Sequence, residues 1–275
     1  MYTMKQITKI TAQKRSGRFN VFVNDEYAFA VSTNVLGDFM LAKGKELTDE
    51  LIDEIKQAEQ NAKAQEKALG YLSYQPRSIK EIRQYMQKQE VDEETTEIVI
   101  KRLVDLGYLD DDNFAKLFIS NALTVGTDGP RQITSKLIQK GLTGDQIAIH
   151  LDEVDPADFV ATGLKIVNPM VKQFGRLSQK ELFQKMRQKL MQHGFTGELI
   201  QPVLDAVEFD DDEELQNDAL RTQGIKAYKK FKKYSGYEYT RRMKQYLFQH
   251  GFSGSEIDQF LNGEIVSLEE LEEYW

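Results

Sequence analysis

The chain has 275 residues and a mass of 31.7 kDa, with 44 acidic against 36 basic side chains and a net charge of −8. Apolar residues make up 40% and charged residues 29%, and no stretch approaches the roughly 18 consecutive apolar residues that a spanning helix needs, so no membrane segment is expected. The absence of cysteine excludes disulfides, thiolate metal sites and cysteine nucleophiles, and it suits a reducing cytoplasm, the expected location.

The start, Met1 to Asn20, lacks the apolar core of a signal peptide, so secretion is not expected. Ile7 to Lys14 is rich in β-branched residues. Ser16-Gly17 is a turn signal, and Arg18 to Val23 alternates with Phe19, Val21 and Val23 on one face. Asn24-Asp25 turns the chain again before Tyr27-Ala28-Phe29-Ala30-Val31. This predicts a three-stranded antiparallel meander covered by a short helix around Asn34–Leu41, with Lys43-Gly44-Lys45 as the loop that closes it.

From Asp49 onward the pattern is helical and repetitive. Leu137-Ile138-Gln139-Lys140-Gly141-Leu142-Thr143-Gly144 recurs as Leu190-Met191-Gln192-His193-Gly194-Phe195-Thr196-Gly197, and again as Leu247-Phe248-Gln249-His250-Gly251-Phe252-Ser253-Gly254. Each copy reads as a helix end carrying a cation, a glycine in the left-handed closing position, an apolar plug and a Thr or Ser cap for the next helix. Thr143 with Gln146, and Ser253 with Glu256, fit a reciprocal capping box. A divergent earlier copy is Tyr85-Met86-Gln87-Lys88, with Val91 as plug and Asp92 as cap. Helices in the first copy are expected at about 50–73, 78–88 and 92–106.

The fold class is therefore mainly α: an elongated tandem array of three-helix repeats behind a small antiparallel β unit. We divide the chain into a β-rich unit at 1–48, a linking helix with repeat 1 at 49–109, repeats 2 to 4 at 110–154, 155–209 and 210–263, and an acidic tail at 264–275.

Residues that could carry chemistry do not assemble into a catalytic motif. His193 and His250 hold equivalent repeat positions beside a capping glycine, which gives them a structural role, and His150 stands alone near a helix end. Asp110-Asp111-Asp112 and Asp210-Asp211-Asp212 lack the glycine and glutamate of a calcium loop and read as helix-start charges. Gly126-Thr127-Asp128-Gly129-Pro130-Arg131 lacks the lysine of a phosphate-binding loop and reads as a corner, with Pro130 opening the next helix. We expect no enzyme activity, no catalytic residue, no metal and no cofactor.

Charge is unevenly spread. Residues 221–244 hold nine basic side chains against Glu238 alone, while residues 1–20 hold five and no acid. Lys226, Lys229, Lys230 and Lys233 fall at helical spacing on one stripe, interleaved with Tyr228, Phe231, Tyr234, Tyr237 and Tyr239; Tyr228 and Phe231 read as core. Phosphate contact with a tyrosine stacked on a base is the functional reading, and a solvated basic face the plain one. Arg241, Arg242 and Lys244 continue the strip. Lys185, Arg187 and Lys189, in a second basic run with Arg176 and Lys180, extend it, and the helix with Arg131, Lys136 and Lys140 is the next candidate.

The run Ala68-Leu69-Gly70-Tyr71-Leu72-Ser73 followed by Arg77-Ser78-Ile79-Lys80-Glu81-Ile82 resembles the opening signature of the RecX family of RecA regulators. So do Leu103 to Asp111 with Phe114-Ala115, and Gly129 to Ile133 leading to Leu137–Leu142. The N-terminal unit, with Phe29-Ala30-Val31-Ser32 and Lys43-Gly44-Lys45-Glu46-Leu47, is similar to the extension of longer Gram-positive members. The resemblance implies a cytoplasmic, non-catalytic regulator in DNA recombination, repair and the SOS response. Such a protein binds the RecA filament on single-stranded DNA and limits its strand exchange, ATPase and co-protease activities. It also implies ATP hydrolysis by RecA alone. The strongly acidic balance departs from the family and leads us to expect DNA contact that is weak or made through RecA, and we expect a monomer. The alternative is a helical-repeat nucleic-acid-binding protein with no RecA role.

Overall fold

In the computed structural model, which describes residues 5–209, 212–267 and 270–271, the β-branched start forms β1 (Lys5–Ala12), followed by β2 (Arg18–Val23) and β3 (Glu26–Ser32). The alternating face points inward: Val21 and Val23 are buried and Phe19 packs at the edge of the same core. Asn24 and Asp25 both take positive φ, 50° and 67°, as a two-residue hairpin turn between right-twisted strands requires. Helix α1 (Thr33–Asp38) follows directly, capped by Ser32. It stops short of Leu41 because Met40 takes φ 44°, outside the helical region.

The meander has a fourth strand that the sequence pattern does not announce. The two-residue β4 (Glu46–Leu47) pairs antiparallel with β1, giving the sheet order β3-β2-β1-β4. The Lys43–Lys45 loop closes the unit as expected, with the Gly44 N–H donating to the Ile7 carbonyl (2.8 Å) and the Ile7 N–H to that of Lys45 (2.9 Å).

Helix α2 (Asp49–Leu72) belongs to two cores at once. Its first half puts Ile52 and Ile55 into the sheet core, and its second half puts Ala64 and Ala68 against α3 (Ile79–Lys88) and α4 (Glu93–Asp105). Between them Glu59, 4% exposed, pairs with Arg18 (2.8 Å) and accepts the Ser32 N–H (2.6 Å). The core of the β-rich unit thus runs past residue 48, because an open sheet face needs a helix to cover it.

Two compact units make up the chain: residues through Phe114 together with Lys140–Leu142, and Ala115–Gln139 with the chain from Thr143 onward. Helices continue as α5 (Asp111–Thr124), α6 (Pro130–Gln139), α7 (Gly144–Asp152), α8 (Pro156–Val167), α9 (Gln179–Gln192), α10 (Gly197–Asp205), α11 (Asp212–Phe231), α12 (Gly236–Gln249) and α13 (Gly254–Leu261). The last three close on a core of Ala219, Leu220, Ala227, Met243, Leu247, Phe252, Ile257 and Phe260. Pro130 opens α6 as expected.

The caps match the spacing. Thr143 with Gln146 and Ser253 with Glu256 form full capping boxes, and so does Ser78 with Glu81. Thr196 holds a cap position without a side-chain bond. Asp110 caps α5 by accepting the N–H groups of Asp112 (2.9 Å) and Asn113 (3.0 Å). In the other aspartate triplet, Asp210 and Asp211 lie outside the described residues, as do parts of the acidic tail.

The first copy of the corner sits one residue away from the register read in the sequence. Met86 is fully buried, the Val91 N–H donates to its carbonyl, and Glu90 takes φ 57°. The same backbone bond joins Phe195 to Leu190 and Phe252 to Leu247, so Met86 matches these leucines and Glu90 stands where the other copies have glycine. The shift arises because no glycine marks the corner.

Candidate nucleic-acid and filament interface

The repeated corners are locks, and they decide which cations are left for a partner. In the first unit the Ser78 hydroxyl donates to the Lys140 carbonyl (2.6 Å), while Lys140 Nζ pairs with Glu81 Oε1 (2.8 Å) and lies 5.5 Å from the Phe114 ring centre. In the second unit the pattern returns twice. Ser178 donates to the His250 carbonyl (2.5 Å), and His250 Nδ1 donates to Glu181 (3.0 Å). The Gly129 N–H donates to the His193 carbonyl (2.7 Å) and the Arg131 N–H to that of Gly194 (3.1 Å). Here Gln132 replaces the glutamate, and His193 Nδ1 donates to the Thr127 carbonyl (3.1 Å) instead. Ser78 and Ser178 are both fully buried, a placement a hydroxyl tolerates because it is hydrogen-bonded.

Glycine is required at these corners on two counts. Gly141, Gly194 and Gly251 take φ of 101°, 84° and 90°. A Cβ on Gly194 would lie 2.6 Å from the Gln132 backbone nitrogen, and one on Gly129 would lie 2.6 Å from the Gly194 carbonyl carbon. The structural role expected of His193 and His250 follows from this geometry.

Glu81 gives the first lock a pH dependence. Burial pushes its carboxyl up, but hydrogen bonds from Lys140 and the Ser78 N–H, with the charges of Lys140 and Arg77, hold it below the ordinary 4.5. A carboxyl depressed on folding contributes stability above its unfolded value, and that stability is lost as pH falls through the folded one. Glu81→Gln should therefore flatten the loss of stability with acid below about pH 4.5, followed by urea melts between roughly pH 3 and 6. Parallel curves for both proteins would mean that the pair does not hold the lock.

A second recurring contact ties neighbouring helices within a repeat. Arg83 is bidentate to Glu97 (2.7 and 3.1 Å), Arg187 donates to Gln201 (2.9 Å) and Lys244 pairs with Asp258 (2.6 Å). Each pair spans fourteen residues at one distance from its corner, a signal present in the sequence once the repeats are aligned.

The predicted contact residues divide accordingly. Lys140 is engaged in a lock and lies beyond the end of α6, so it does not share a helix with Arg131 and Lys136. Lys136 pairs with Asp128 (2.5 Å), Lys185 with Glu181 (3.5 Å), and Arg187 and Lys244 serve the intra-repeat contacts. Arg241 and Arg242 both hold Glu238, at 3.2 and 2.7 Å, and the Arg242 hydrogen bond pulls that carboxyl below its ordinary range. Arg131 and Lys189 are exposed.

The four-lysine stripe is cut by the end of α11 at Phe231. Lys226, Lys229 and Lys230 stand on the helix, and Lys233 falls in the turn beyond it. Lys226, Lys230 and Lys233 make no ion pair among the described residues. Lys230 Nζ lies 5.4 Å from the ring centres of both Phe231 and Tyr246. Tyr228, Phe231 and Tyr239 pack against the core, as expected of the first two. Tyr234 lies between Lys233 (5.3 Å) and Arg242 (4.2 Å), and Tyr237 is 83% exposed. Cations near one aromatic ring, with a second ring exposed three residues further along the chain, can meet phosphate and a base face.

A small antiparallel sheet followed by three-helix repeats locked corner to cap defines a helical-repeat protein, which displays side chains along its helix faces. Residues 5–48 match the "Regulatory protein RecX N-terminal domain", 64–103 "RecX, first three-helix domain" and 213–261 "RecX, third three-helix domain". The chain is 48% identical to the Regulatory protein RecX of Lactobacillus gasseri over 98% of its length and all of the relative, and 37% identical to that of Bacillus subtilis over 95% and 99%. A crystal structure of regulatory protein RecX superposes with a TM-score of 0.64 at 31% identity, covering 73% of this chain and 99% of that one. The chain belongs to the RecX family.

Proposed function

We propose that the chain is a non-catalytic cytoplasmic regulator of RecA, which binds the RecA–single-stranded DNA filament as a monomer and limits its recombinase, ATPase and co-protease activities. Membership of a family whose relatives are named regulatory proteins supports the first half of this reading. The observation that carries the contact is the lysine and tyrosine cluster where α11 meets α12, with Tyr234 between Lys233 and Arg242 and Tyr237 exposed. DNA touched there is held weakly by this chain alone, since the net charge of −8 repels a polyanion at longer range.

The test joins DNA binding to RecA inhibition. Changing Lys226, Lys229, Lys230 and Lys233 to glutamine should flatten the plot of log affinity for single-stranded DNA against log salt by about 0.7 per lost phosphate contact, roughly 3 in all. The same variant should inhibit RecA ATPase and strand exchange less. An unchanged slope returns the lysines to a solvated face. A wild-type protein that binds DNA yet leaves RecA activities untouched would favour a nucleic-acid-binding repeat protein with no RecA role.

A further inference from the structure

Three large apolar side chains are exposed at one and the same repeat position. Ile138, Met191 and Phe248 are 50%, 60% and 63% exposed, while Leu137, Leu190 and Leu247, one residue earlier, are fully buried. All three belong to the second unit, each followed by an exposed glutamine (Gln139, Gln192, Gln249). A single exposed apolar residue needs no explanation, but the same exposure at three matched positions is a property of the repeat.

The charge around these side chains is sorted in the same way. Lys180, in the seat that receives the Gly251 corner, lies with its ammonium 5.7 Å from the Phe248 ring centre, and Arg131 holds the matching place in the seat of the Gly194 corner. One turn back on the same helix faces, Arg187 and Lys244 are held within their repeats by Gln201 and Asp258, so the exposed Arg131 and Lys180 are the cations these faces offer a partner. The helices that carry the three side chains contain few acids: α6 has none, α9 has Glu181 and α12 has Glu238. The helices that follow them, α7, α10 and α13, carry Asp145, Asp152, Glu198, Asp205, Glu256 and Asp258, with no lysine or arginine. In a protein of net charge −8, the three helices that carry the exposed apolar positions are thus each net basic.

We infer that Ile138, Met191 and Phe248 form a repeat-encoded docking seam for an acidic protein surface that itself repeats, each apolar side chain entering an apolar site flanked by carboxylates. Ile138 and Met191 have no π face on which a base could stack, which argues against nucleic acid as the occupant. Buried against apolar side chains they leave water favourably, and the flanking cations set register and orientation. This inference rests on the filament reading above, because a filament presents one protomer surface at regular intervals.

The test uses the full-length chain and preformed RecA–single-stranded DNA filaments. Ile138→Ser, Met191→Ser and Phe248→Ser together should weaken filament binding about 30-fold, roughly threefold per side chain. Free-DNA affinity, its salt slope and the melting temperature should stay as in the wild type. A second variant with leucine at all three positions should keep filament affinity. If the serine variant binds the filament like the wild type, or loses free-DNA binding to the same degree, the seam is not a protein-docking face. If the leucine variant is as weak as the serine variant, apolarity is not what the partner reads. Loss of a wild-type self-association would assign the seam to a second copy and overturn the inference. A wild-type chain that does not bind the filament sinks the functional reading and this inference with it. A wild type and serine variant that bind equally sink this inference alone.

Discussion

Gly194→Val is expected to destabilise the second unit by roughly 2–5 kcal/mol, the sum of roughly 1–2 kcal/mol for a left-handed L-residue and about 1–3 kcal/mol for overpacking. The two costs arise separately. The corner takes φ 84°, and the new Cβ would press on the Gln132 backbone at 2.6 Å, where the contact is main chain and cannot swing aside. Relief would need the Arg131 N–H to leave the Gly194 carbonyl, opening the lock. Thermal unfolding should shift down by roughly 10 °C, given about 2–4 °C per kcal/mol for a unit of this size. Gly197→Ala, where no atom lies within 4 Å of the added Cβ, is the matched control and should stay within about 0.5 kcal/mol of wild type. Equal melting of Gly194→Val and the control would show that the corner does not carry the joint.

Deleting residues 1–48 is expected to unwind the first turns of α2 and to leave the rest of the helices folded. Ile52, Ile55 and Glu59 lose the sheet that buries them, and each isoleucine forfeits about 1.5–3 kcal/mol of burial. Beyond Ala62, the last residue of α2 packed on the sheet core, the helix buries its apolar side chains in another core. Ala64 and Ala68 pack with Ile82, Met86, Val99, Ile100 and Leu103, and the exposed Arg15–Glu66 pair ties this stretch back to the β-rich unit. Limited proteolysis should therefore cut the shortened chain between 49 and 60, with far-UV circular dichroism losing only those turns. A largely unfolded fragment would mean that the first repeat depends on the sheet for its stability.

The parts of the molecule carried by periodicity could be read directly. Val21 and Val23 alternate because one sheet face is buried, and the three glycine corners repeat because each must present a bare backbone to its seat. What lay beyond reading depends on partners far apart in the chain. β4 is two residues long, too short to alternate, and exists only because Lys5 and Gln6 offer an open edge. The locks join Ser78 to Lys140 and Ser178 to His250, separations that no local window contains. The lysine stripe runs one position past its helix, because spacings of three and four continue beyond Phe231, whereas the helix ends there and Ser235 takes the cap position of α12. The candidate contact residues are legible as charges but not as pairs, since sequence alone does not show that Arg242 spends its fork on Glu238.

The non-glycine corner at Glu90 has a consequence for how a protein of this kind can grow. Every other corner meets its seat with bare backbone, and a Cβ there would fall 2.6–2.7 Å from the facing atoms. Glu90 holds the same left-handed turn but carries a Cβ and a carboxylate, so no seat of this design could receive it. The first copy is in this sense a bookend. A gene duplication could lengthen the chain behind it, where each new glycine corner finds a serine- or glycine-lined seat, but a copy added in front would meet a corner that does not fit.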